Sequence, residues 1–285
     1  MKPARFAYHR PATLDEALEL LERYGPDGRL LAGGQSLVPA LNMRLATPAA
    51  LIDINRLPGL ERISLTPEGL VIGALARQEA VEHSPLVARH APLIAQAMPY
   101  VGHLAIRTRG TFGGSLALAD PAAELPASVV ALGATVRAAR RGRVREIPAA
   151  QFFRGIYTTA LEPGEMLTEV VVPPTQPGWR SAFDELARRH GDYALIGLAA
   201  HCRVTNGMID EARLVFTGVG LTPVRATRAE AIVVGRGCDA GVLAEAGQAL
   251  EADLDPPADV HASVALRRHL ARVLLARVLR RLLEA

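Results

Sequence analysis

The sequence predicts an α+β protein of two domains, and three observations lead to this fold class. The first fifty residues alternate between strand and helix signals, and the middle of the chain carries short strands with hairpin turns. A cluster of prolines and a glycine at 173–178 then interrupts the pattern. A chain of 285 residues also suits two hydrophobic cores. We therefore expect a first domain over 1–175, in two lobes of about 1–56 and 57–175, and a second domain over 178–285.

The first lobe is predicted to begin as a strand, a helix and a strand. Thr13 and Glu16 stand at the spacing of a capping box, in which side chains accept hydrogen bonds from the free N–H groups at a helix start. Apolar residues then recur at helical spacing until the Gly-Pro-Asp-Gly segment at 25–28 ends the helix. The strands are predicted over 6–8, 30–32 and 51–54.

The second lobe is predicted to mix shorter strands with helices. Two strand signals on either side of the arginine- and glycine-rich segment 140–143 indicate a hairpin. A helix is predicted from about 122 to 132. The strands are predicted over 69–73, 135–139, 144–147 and 165–172.

The second domain is predicted to open with two apolar strands joined by Thr205-Asn206-Gly207. An Asn-Gly pair favours the tight turn of a β-hairpin because both residues accept positive φ angles. The domain ends in an amphipathic helix from about 264 to 283, whose many arginines indicate a docking face or a solvated surface. The two strands are predicted over 194–204 and 208–219.

The composition narrows the class of protein. Hydrophobic residues make up 49% of the chain and charged residues 21%, which is ordinary for a globular protein. The sequence begins without an apolar signal segment, and no apolar run approaches the roughly 18 residues of a membrane helix. We therefore expect a cytoplasmic protein with no integral membrane segment. The formal net charge of +3 comes almost entirely from arginine.

The two cysteines, Cys202 and Cys238, are not spaced in the sequence as metal ligands are. Neither belongs to a CxxC motif, so this chain cannot supply the four cysteine ligands of an iron–sulfur cluster. A disulfide is not expected in a cytoplasmic protein. We predict that both are small core residues and that the chain binds no metal.

The first of two informative glycine pairs, Gly33-Gly34, lies between a predicted strand and a helix that Ser36 can cap. Glycine reaches positive φ without penalty and has no side chain to keep a ligand away from the backbone. A strand, glycines and a helix start direct backbone N–H groups outward, which suits a phosphate group. A tight turn without a ligand explains the same residues.

The second pair, Gly113-Gly114, is flanked by the hydroxyl side chains of Thr111 and Ser115. Neither pair matches GxGxxG or GxxxxGK[ST], so the usual dinucleotide fold and the P-loop are disfavoured. Two such loops in one domain can grip a diphosphate from both sides. No Ser/His/Asp or Cys/His arrangement accompanies them, so we predict a chain that holds a nucleotide cofactor and has no catalytic residue of its own.

Three short motifs resemble, in the same order, the AGGxS loop, the TxGGN loop and the RxGDYA motif of one protein family. They are Ala32-Gly33-Gly34-Gln35-Ser36, Thr111-Phe112-Gly113-Gly114-Ser115 and Arg189-His190-Gly191-Asp192-Tyr193-Ala194. The helix start at 119–126 is similar to the one that follows the family's second loop. Over nearly its whole length the chain resembles the FAD-binding medium subunit of the xanthine dehydrogenase and carbon monoxide dehydrogenase family of molybdenum hydroxylases.

The resemblance implies a two-lobed FAD-binding domain of the vanillyl-alcohol-oxidase (PCMH) type over 1–175. A small C-terminal α/β domain of the carbon monoxide dehydrogenase flavoprotein type would follow, built on a three-stranded antiparallel sheet. The cofactor would be non-covalent FAD, because Gln35 follows the first glycine pair where a histidine could form a tether. Ser115 replaces the family's more usual asparagine, so a shorter side chain with a hydroxyl group stands in place of the amide.

The resemblance also implies a role for individual residues. The two glycine loops would surround the FAD diphosphate, and Glu124 would bond the ribityl chain with Asp120 close by. Leu167 would contact the adenine part of the cofactor, and Tyr193 would lie beside the isoalloxazine ring. The full set of implied FAD contacts is Leu31, Ala32, Gly33, Gly34, Gln35, Ser36, Leu37, Gly110, Thr111, Gly113, Gly114, Ser115, Asp120, Glu124, Leu167 and Tyr193.

The implied function is electron relay within a larger oxidoreductase. A large subunit would hold the molybdenum cofactor, and a small subunit with two [2Fe–2S] clusters would deliver electrons to the FAD of this chain. The electrons would leave to a quinone, NAD or another acceptor, and the expected assembly is a dimer of heterotrimers.

Two other functions stay open at this point. An assembly subunit that has lost FAD would keep the fold but is expected to have decayed loops, whereas both glycine pairs are intact. A free-standing flavin oxidoreductase of the same fold would need a substrate pocket in its second domain. Nucleic-acid binding is disfavoured because the arginine-rich final helix has no interleaved aromatic residues and no known motif.

Overall fold

A parallel three-stranded sheet forms the first lobe in the computed structural model, which describes residues 1–284. Its elements are β1 (Ala7–His9), α1 (Leu14–Tyr24), β2 (Gly28–Leu31), α2 (Leu37–Asn42) and β3 (Ala50–Asp53). The strand order is β1-β3-β2, and α1 packs on the sheet through Ala17, Leu18 and Leu21. The three strands predicted for this lobe are confirmed, each to within two residues at either end.

The start of α1 is held by the predicted capping box. Thr13 Oγ1 accepts a hydrogen bond from the N–H of Glu16 at 3.2 Å. The Glu16 carboxylate accepts from the N–H of Ala12 at 2.7 Å, one residue before the cap. Gly25, with a φ of +51°, ends the helix where the glycine-proline segment predicts its end.

An antiparallel five-stranded sheet forms most of the second lobe, in the order β4-β5-β10-β6-β7. The strands of this lobe are β4 (Ile63–Thr66), β5 (Gly69–Gly73), β6 (Thr135–Arg140), β7 (Arg143–Pro148), β8 (Phe153–Gly155), β9 (Thr158–Thr159) and β10 (Met166–Val172). Of these, β8 and β9 pair only with each other and form a separate two-stranded ribbon. Its helices are α3 (Gln78–Glu82), α4 (Pro85–His90), α5 (Pro92–Ala97), α6 (Leu104–Arg107), α7 (Phe112–Leu118), α8 (Glu124–Ala131) and α9 (Ala149–Phe152). The predicted β6–β7 hairpin is confirmed, with Arg140 opposite Arg143.

The last part of the chain is an antiparallel sheet covered by three helices. The elements are β11 (Trp179–Ala187), β12 (Ala194–Thr205), β13 (Met208–Thr217), β14 (Val224–Arg225), α10 (Thr227–Val233), α11 (Ala240–Asp253) and α12 (Val264–Glu284). The predicted three-stranded sheet is present as β11, β12 and β13, and the two-residue β14 extends one edge. The hairpin turn at Asn206 and Gly207 is confirmed, with φ angles of +52° and +77°. At the other edge, Trp179 stacks on His201 with ring centroids 4.4 Å apart.

This sheet lies between two hydrophobic cores. Side chains alternate along each strand, so one face presents Phe183, Ala199 and Val215 to the core that also contains α5 and α8. The opposite face presents Ile196 and Leu198 to the core formed with α10, α11 and α12. The sheet therefore rests directly on the second lobe, and its strands are buried on both sides.

Five of the six arginines of α12 contact groups of the same chain, although Arg272, Arg277, Arg280 and Arg281 are exposed, as the expectation of a docking face or a solvated surface allows. Arg267 is buried and donates to the carbonyls of Leu195 and Gly218. Arg277 contacts the carboxylate of Asp184 on β11 at 3.4 Å. The remaining internal contacts are Arg268 and Arg272 with Glu251 and Arg281 with the carbonyl of Phe183. No helix within residues 1–284 is long and apolar enough to cross a membrane.

Candidate functional site

A single cleft collects residues from both lobes and from the segment that precedes β12. Its volume of about 550 Å³ lies within the range of pockets that hold cofactor-sized molecules. The implied contact residues that line it are Ala32, Gly33, Gly34, Gln35, Ser36, Leu37, Gly110, Thr111, Gly113, Gly114, Ser115, Asp120, Glu124, Leu167 and Tyr193. The two glycine loops and the acidic helix start, which are far apart in sequence, therefore face the same space.

The first glycine loop runs from the end of β2 to the start of α2. Gly34 has a φ of +74°, which a residue with a side chain adopts only with strain. None of the backbone N–H groups from Gly33 to Ser36 has an acceptor among the described residues. These four consecutive donors are suited to a phosphate, because successive free backbone N–H groups form an anion-binding site.

Ser36 occupies the residue before α2 but does not cap it. Its side chain accepts no hydrogen bond from the helix, and its φ and ψ of −102° and −41° are helical rather than extended. A capping side chain reaches the helix N–H groups only from the extended region. The predicted cap is therefore wrong.

The second glycine loop is the start of α7. Thr111 caps this helix, because its Oγ1 accepts from the N–H of Gly114 at 3.1 Å. A Cβ on Gly114 would lie 2.6 Å from that same Oγ1, and a Cβ on Gly113 would lie 2.7 Å from the Cα of Ala74. The two glycines thus allow the helix start to pack closely against its own cap and against the end of β5.

The side chains of Asn55 and Arg77 tie the two loops together. Asn55 Nδ2 donates to the carbonyl of Ala32 in the first loop at 2.8 Å. Asn55 Oδ1 accepts from Arg77 at 2.7 Å, and Arg77 also donates to the carbonyl of Arg109 beside the second loop. The relative position of the two loops is therefore fixed by a chain of hydrogen bonds that runs behind the cleft.

The far end of the cleft is acidic and flanked by two tyrosines. Asp120 and Glu124 are each 7% exposed, and Tyr157 Oη lies 3.5 Å from Asp120 Oδ2. Burial raises the pKa of Glu124 to about 7, with a smaller contribution from Asp120. The charge of Asp120 also raises the pKa of Tyr157, and burial raises that of Tyr193. This end offers hydroxyl and carboxyl groups to a polyol rather than positive charge to an anion.

Leu31 does not line the cleft formed by the described residues. Successive side chains of a strand point to opposite faces, and its neighbour Leu30 is the one that lines the cleft. Leu31 Cδ1 lies 3.2 Å from the position that a Cβ on Gly34 would take, and its carbonyl accepts from the N–H of Ile54. Leu31 supports the glycine loop from behind.

Two implied contacts differ widely in exposure. Leu167, on β10, is 4% exposed and forms part of the apolar wall. Tyr193, just before β12, is 71% exposed and lies at the mouth of the cleft. A core role for Tyr193 is therefore excluded, and its ring is accessible to a flat ligand.

Several residues that line the cleft belong to no recognisable sequence motif. Gln78, the first residue of α3, is 5% exposed, and its Oε1 has no hydrogen-bond partner among the described residues. A Cβ on Gly110 would lie 2.3 Å from that oxygen, so the amide sits directly behind the second loop. The other lining residues without a sequence signal include Ile54, Leu75, Ile106, Tyr157, Leu161 and Met166.

The cleft fits a dinucleotide such as FAD by its chemistry. The free N–H groups of the first loop suit a diphosphate, the leucines and methionine of the wall suit flat rings, and Glu124 with Asp120 suits a polyol chain. Residues 1–284 contain no group of three or more histidine, cysteine, aspartate or glutamate side chains placed to hold a metal.

Comparison with known proteins agrees with this chemistry. Residues 4–175 match the family described as the FAD binding domain in molybdopterin dehydrogenase. Residues 181–282 match the CO dehydrogenase flavoprotein C-terminal domain. Together the two matches take in nearly the whole chain.

Individual relatives match along their full length. The chain is 39% identical to the 6-hydroxypseudooxynicotine dehydrogenase complex subunit alpha of Paenarthrobacter nicotinovorans, covering 100% of this chain and 96% of the relative. It is 35% identical to the carbon monoxide dehydrogenase medium chain of Afipia carboxidovorans, covering 99% and 98%. A solved carbon monoxide dehydrogenase from Oligotropha carboxidovorans superimposes with a TM-score of 0.96 at 34% identity, covering 100% and 99%. The chain therefore belongs to the FAD-binding medium subunits of the molybdenum hydroxylases, the xanthine dehydrogenase and carbon monoxide dehydrogenase family.

Proposed function

We propose that this chain relays electrons within a molybdenum hydroxylase complex, holding FAD non-covalently in the cleft. The observation that carries the proposal is the pair of glycine loops, which share one cleft and leave four consecutive N–H donors of the first loop free. Bound FAD supplies the capacity to take up and release single electrons. The protein supplies the position and the surroundings of the cofactor.

Each part of the cleft is proposed to bind a different part of FAD. The loop Gly33–Leu37 and the loop Gly110–Ser115 hold the diphosphate, and Leu167 packs against the adenine part. Glu124 accepts hydrogen bonds from the ribityl chain, and Tyr193 lies along the isoalloxazine ring. Gln78, which is buried with a free Oε1, is added to the predicted set as an acceptor for a cofactor N–H or O–H group.

The chain's own residues perform three tasks in this mechanism. The Asn55–Arg77 hydrogen bonds hold the loops at a fixed separation, so the diphosphate is bound without reorganisation. The apolar wall excludes water from one side of the cofactor. The exposed position of Tyr193 leaves one edge of the cleft open, and electrons and acceptor can reach the cofactor there.

The partners are proposed from the family. A large subunit with the molybdenum cofactor and a small subunit with [2Fe–2S] clusters complete the complex, as a dimer of heterotrimers. The two relatives of similar identity are named for a nicotine derivative and for carbon monoxide, which supports substrate binding outside this subunit. We infer a cytoplasmic location, since both cysteines are free thiols.

Two domains are proposed, over 1–175 and 178–285, the first with lobes of about 1–56 and 57–175. The separate hydrophobic cores support this division, although Phe183, Ala199 and Val215 contribute to the core of the second lobe.

A visible spectrum of the purified chain tests the proposal. The chain is mixed with FAD, passed through gel filtration and then precipitated with acid. We expect flavin absorbance to remain with the protein and to move to the supernatant after acid, which identifies bound and non-covalent FAD. A chain that retains no flavin, even after co-expression with its genomic neighbours, would contradict the proposal and favour an assembly subunit without cofactor.

A further inference from the structure

A second buried carboxyl group lies outside the set of residues that line the cleft. Glu185 is on β11, is 8% exposed and is absent from the residues that line the cleft. Its Oε2 is fully buried and has no hydrogen-bond partner among the described residues. An ionised carboxylate without a donor is costly to bury, so a group in this position needs either a proton or a cation.

The register of the sheet explains how Glu185 comes to lie beside the cleft. Glu185 pairs with Gly197 on β12, and Gly197 pairs with Thr217 on β13, so the three residues form one row on the face that meets α8. A Cβ on Gly197 would lie 2.7 Å from Thr217 Cγ2 and 3.4 Å from Glu185 Cβ. The missing side chain therefore leaves a gap in the middle of the row.

Thr217 anchors the start of α8 over that row. Its Oγ1 lies 2.6 Å from the carbonyl oxygen of Pro121 and 3.0 Å from that of Ala123, the residue before Glu124. Glu124 is the first residue of α8, where the partial positive charge of the helix start favours an ionised carboxyl group. Of the two glutamates, Glu124 is thus the better placed to carry the negative charge, and Glu185 the better placed to keep a proton.

The charged groups around Glu185 support the same assignment. Asp184 is its neighbour on β11, and Tyr100 donates to Asp184 at 3.2 Å. The two cations that approach from α12, Arg277 and Arg281, are directed to Asp184 and to the carbonyl of Phe183. Burial, followed by the charges of Glu124 and Asp184, raises the pKa of Glu185 to about 9.

We propose that Glu185 is a positioning residue that stays protonated, as its neutral acid, and so leaves Glu124 as the carboxylate that accepts hydrogen bonds from a polyol ligand in the cleft. With the ligand assigned as above, that polyol is the ribityl chain of FAD, and the inference rests on the proposed function to this extent. Loss of the Glu185 proton adds a second negative charge to this buried region, and the repulsion between the two carboxylates displaces Glu124.

The test is the affinity of the full chain for FAD between pH 8 and pH 10, above the pKa of about 7 of Glu124, measured by isothermal titration calorimetry. For the wild-type chain we expect Kd to weaken progressively, by roughly tenfold at pH 10, as Glu185, whose pKa is about 9, loses its proton. Glu185→Gln has the same shape but no proton to lose, so its Kd is expected to stay constant over the whole range. Glu211→Gln, an exposed change on β13 of the same sheet, is the control and should keep the wild-type profile.

A second measurement needs no FAD. Because the folded-state pKa of Glu185 is raised, its contribution to stability is complete below the pKa of the unfolded chain and is lost as pH rises towards about 9. The urea midpoint of the wild-type chain should therefore fall between pH 5 and pH 9 relative to Glu185→Gln. Should Glu185→Gln misfold, Glu185→Met, which also carries no charge, takes its place in both measurements.

The outcomes separate the two claims. Wild-type and Glu185→Gln chains that bind FAD with the same pH profile would overturn the inference and leave the proposed function intact. A wild-type chain that binds no FAD at any pH would overturn the cofactor assignment and the inference with it.

Discussion

A Cβ placed on Gly33 would lie 2.7 Å from the Cα of Gly110, so the backbones of the two glycine loops are in direct contact. The same Cβ would lie 2.5 Å from the carbonyl oxygen of Arg109. Gly33 is therefore required for the approach of one loop to the other, in addition to any contact that it makes with a ligand. This relationship gives the first of four predictions.

Gly33→Ala is expected to force the loops apart, because both atoms that its methyl group meets belong to the backbone. We expect a loss of about 1–3 kcal/mol in the free energy of unfolding and at least about a tenfold weakening of FAD binding. Urea denaturation and calorimetric FAD titration measure the two effects. Gly237→Ala, where the nearest atom would be 3.8 Å away, is the matched control and should change neither.

Asn55→Ala is expected to release the first loop from Arg77. The change removes the bonds to the carbonyls of Leu31 and Ala32 and leaves the Arg77 guanidinium short of one acceptor. We expect a loss of about 1–3 kcal/mol in stability together with weaker FAD binding. Gln151→Ala, at an exposed position of α9, should leave both unchanged, and an unaltered FAD affinity in Asn55→Ala would show that the network does not position the loops.

Acid is expected to destabilise the chain through His201. Burial, with the nearby charge of Arg213, lowers the pKa of His201 to about 4, so the folded state keeps the ring neutral while the unfolded chain binds a proton below about pH 6.5. Stability should therefore fall as pH drops from about 6.5 to about 4, by about 3 kcal/mol in total. His201→Gln should lose this slope when unfolding is followed by circular dichroism. Parallel curves for the two proteins across that window would refute the assignment.

Arg267→Met is expected to detach α12 from the sheet. The variant leaves the carbonyls of Leu195 and Gly218 without their donor and Asp259 without its ion pair. A loss of about 2–4 kcal/mol in the free energy of unfolding follows from these buried, unpaired groups. Arg280→Met, at an exposed position of the same helix, should cost little, and equal effects of the two changes would contradict the role assigned to Arg267.

The parts of the fold that the sequence predicts are those with a local cause. Positive φ at Asn206 and Gly207 produces the β12–β13 hairpin, and helical spacing of apolar residues produces α12. β11 was not predicted from its own residues, because it is buried on both faces and carries Asp184 and Glu185 within the strand. Its pattern of apolar and polar residues does not alternate, so the usual strand signal is missing. Helices α3 to α6 are four to six residues long, too short to show a period.

The candidate site also contains residues that the sequence predicts and residues that only the fold brings there. The glycine loops are visible in the sequence because glycine, hydroxyl and acidic residues stand next to one another. Gln78 and Asn55 reach the loops only through the fold, from segments more than twenty residues away, and no local pattern marks them. The row that places Glu185 beside Gly197 and Thr217 depends on the register of three strands, which the sequence of β11 alone does not specify.

The stack of Trp179 on His201 gives the molecule a built-in optical reporter. Trp179 is the only tryptophan in the chain, so all indole emission comes from one edge of the C-terminal sheet. A flavin held in the cleft absorbs light at the wavelengths that an indole emits. Energy transfer from Trp179 therefore measures the separation of sheet and cleft without an added dye. In the isolated chain this signal shows whether a substitution moves one part of the molecule relative to the other.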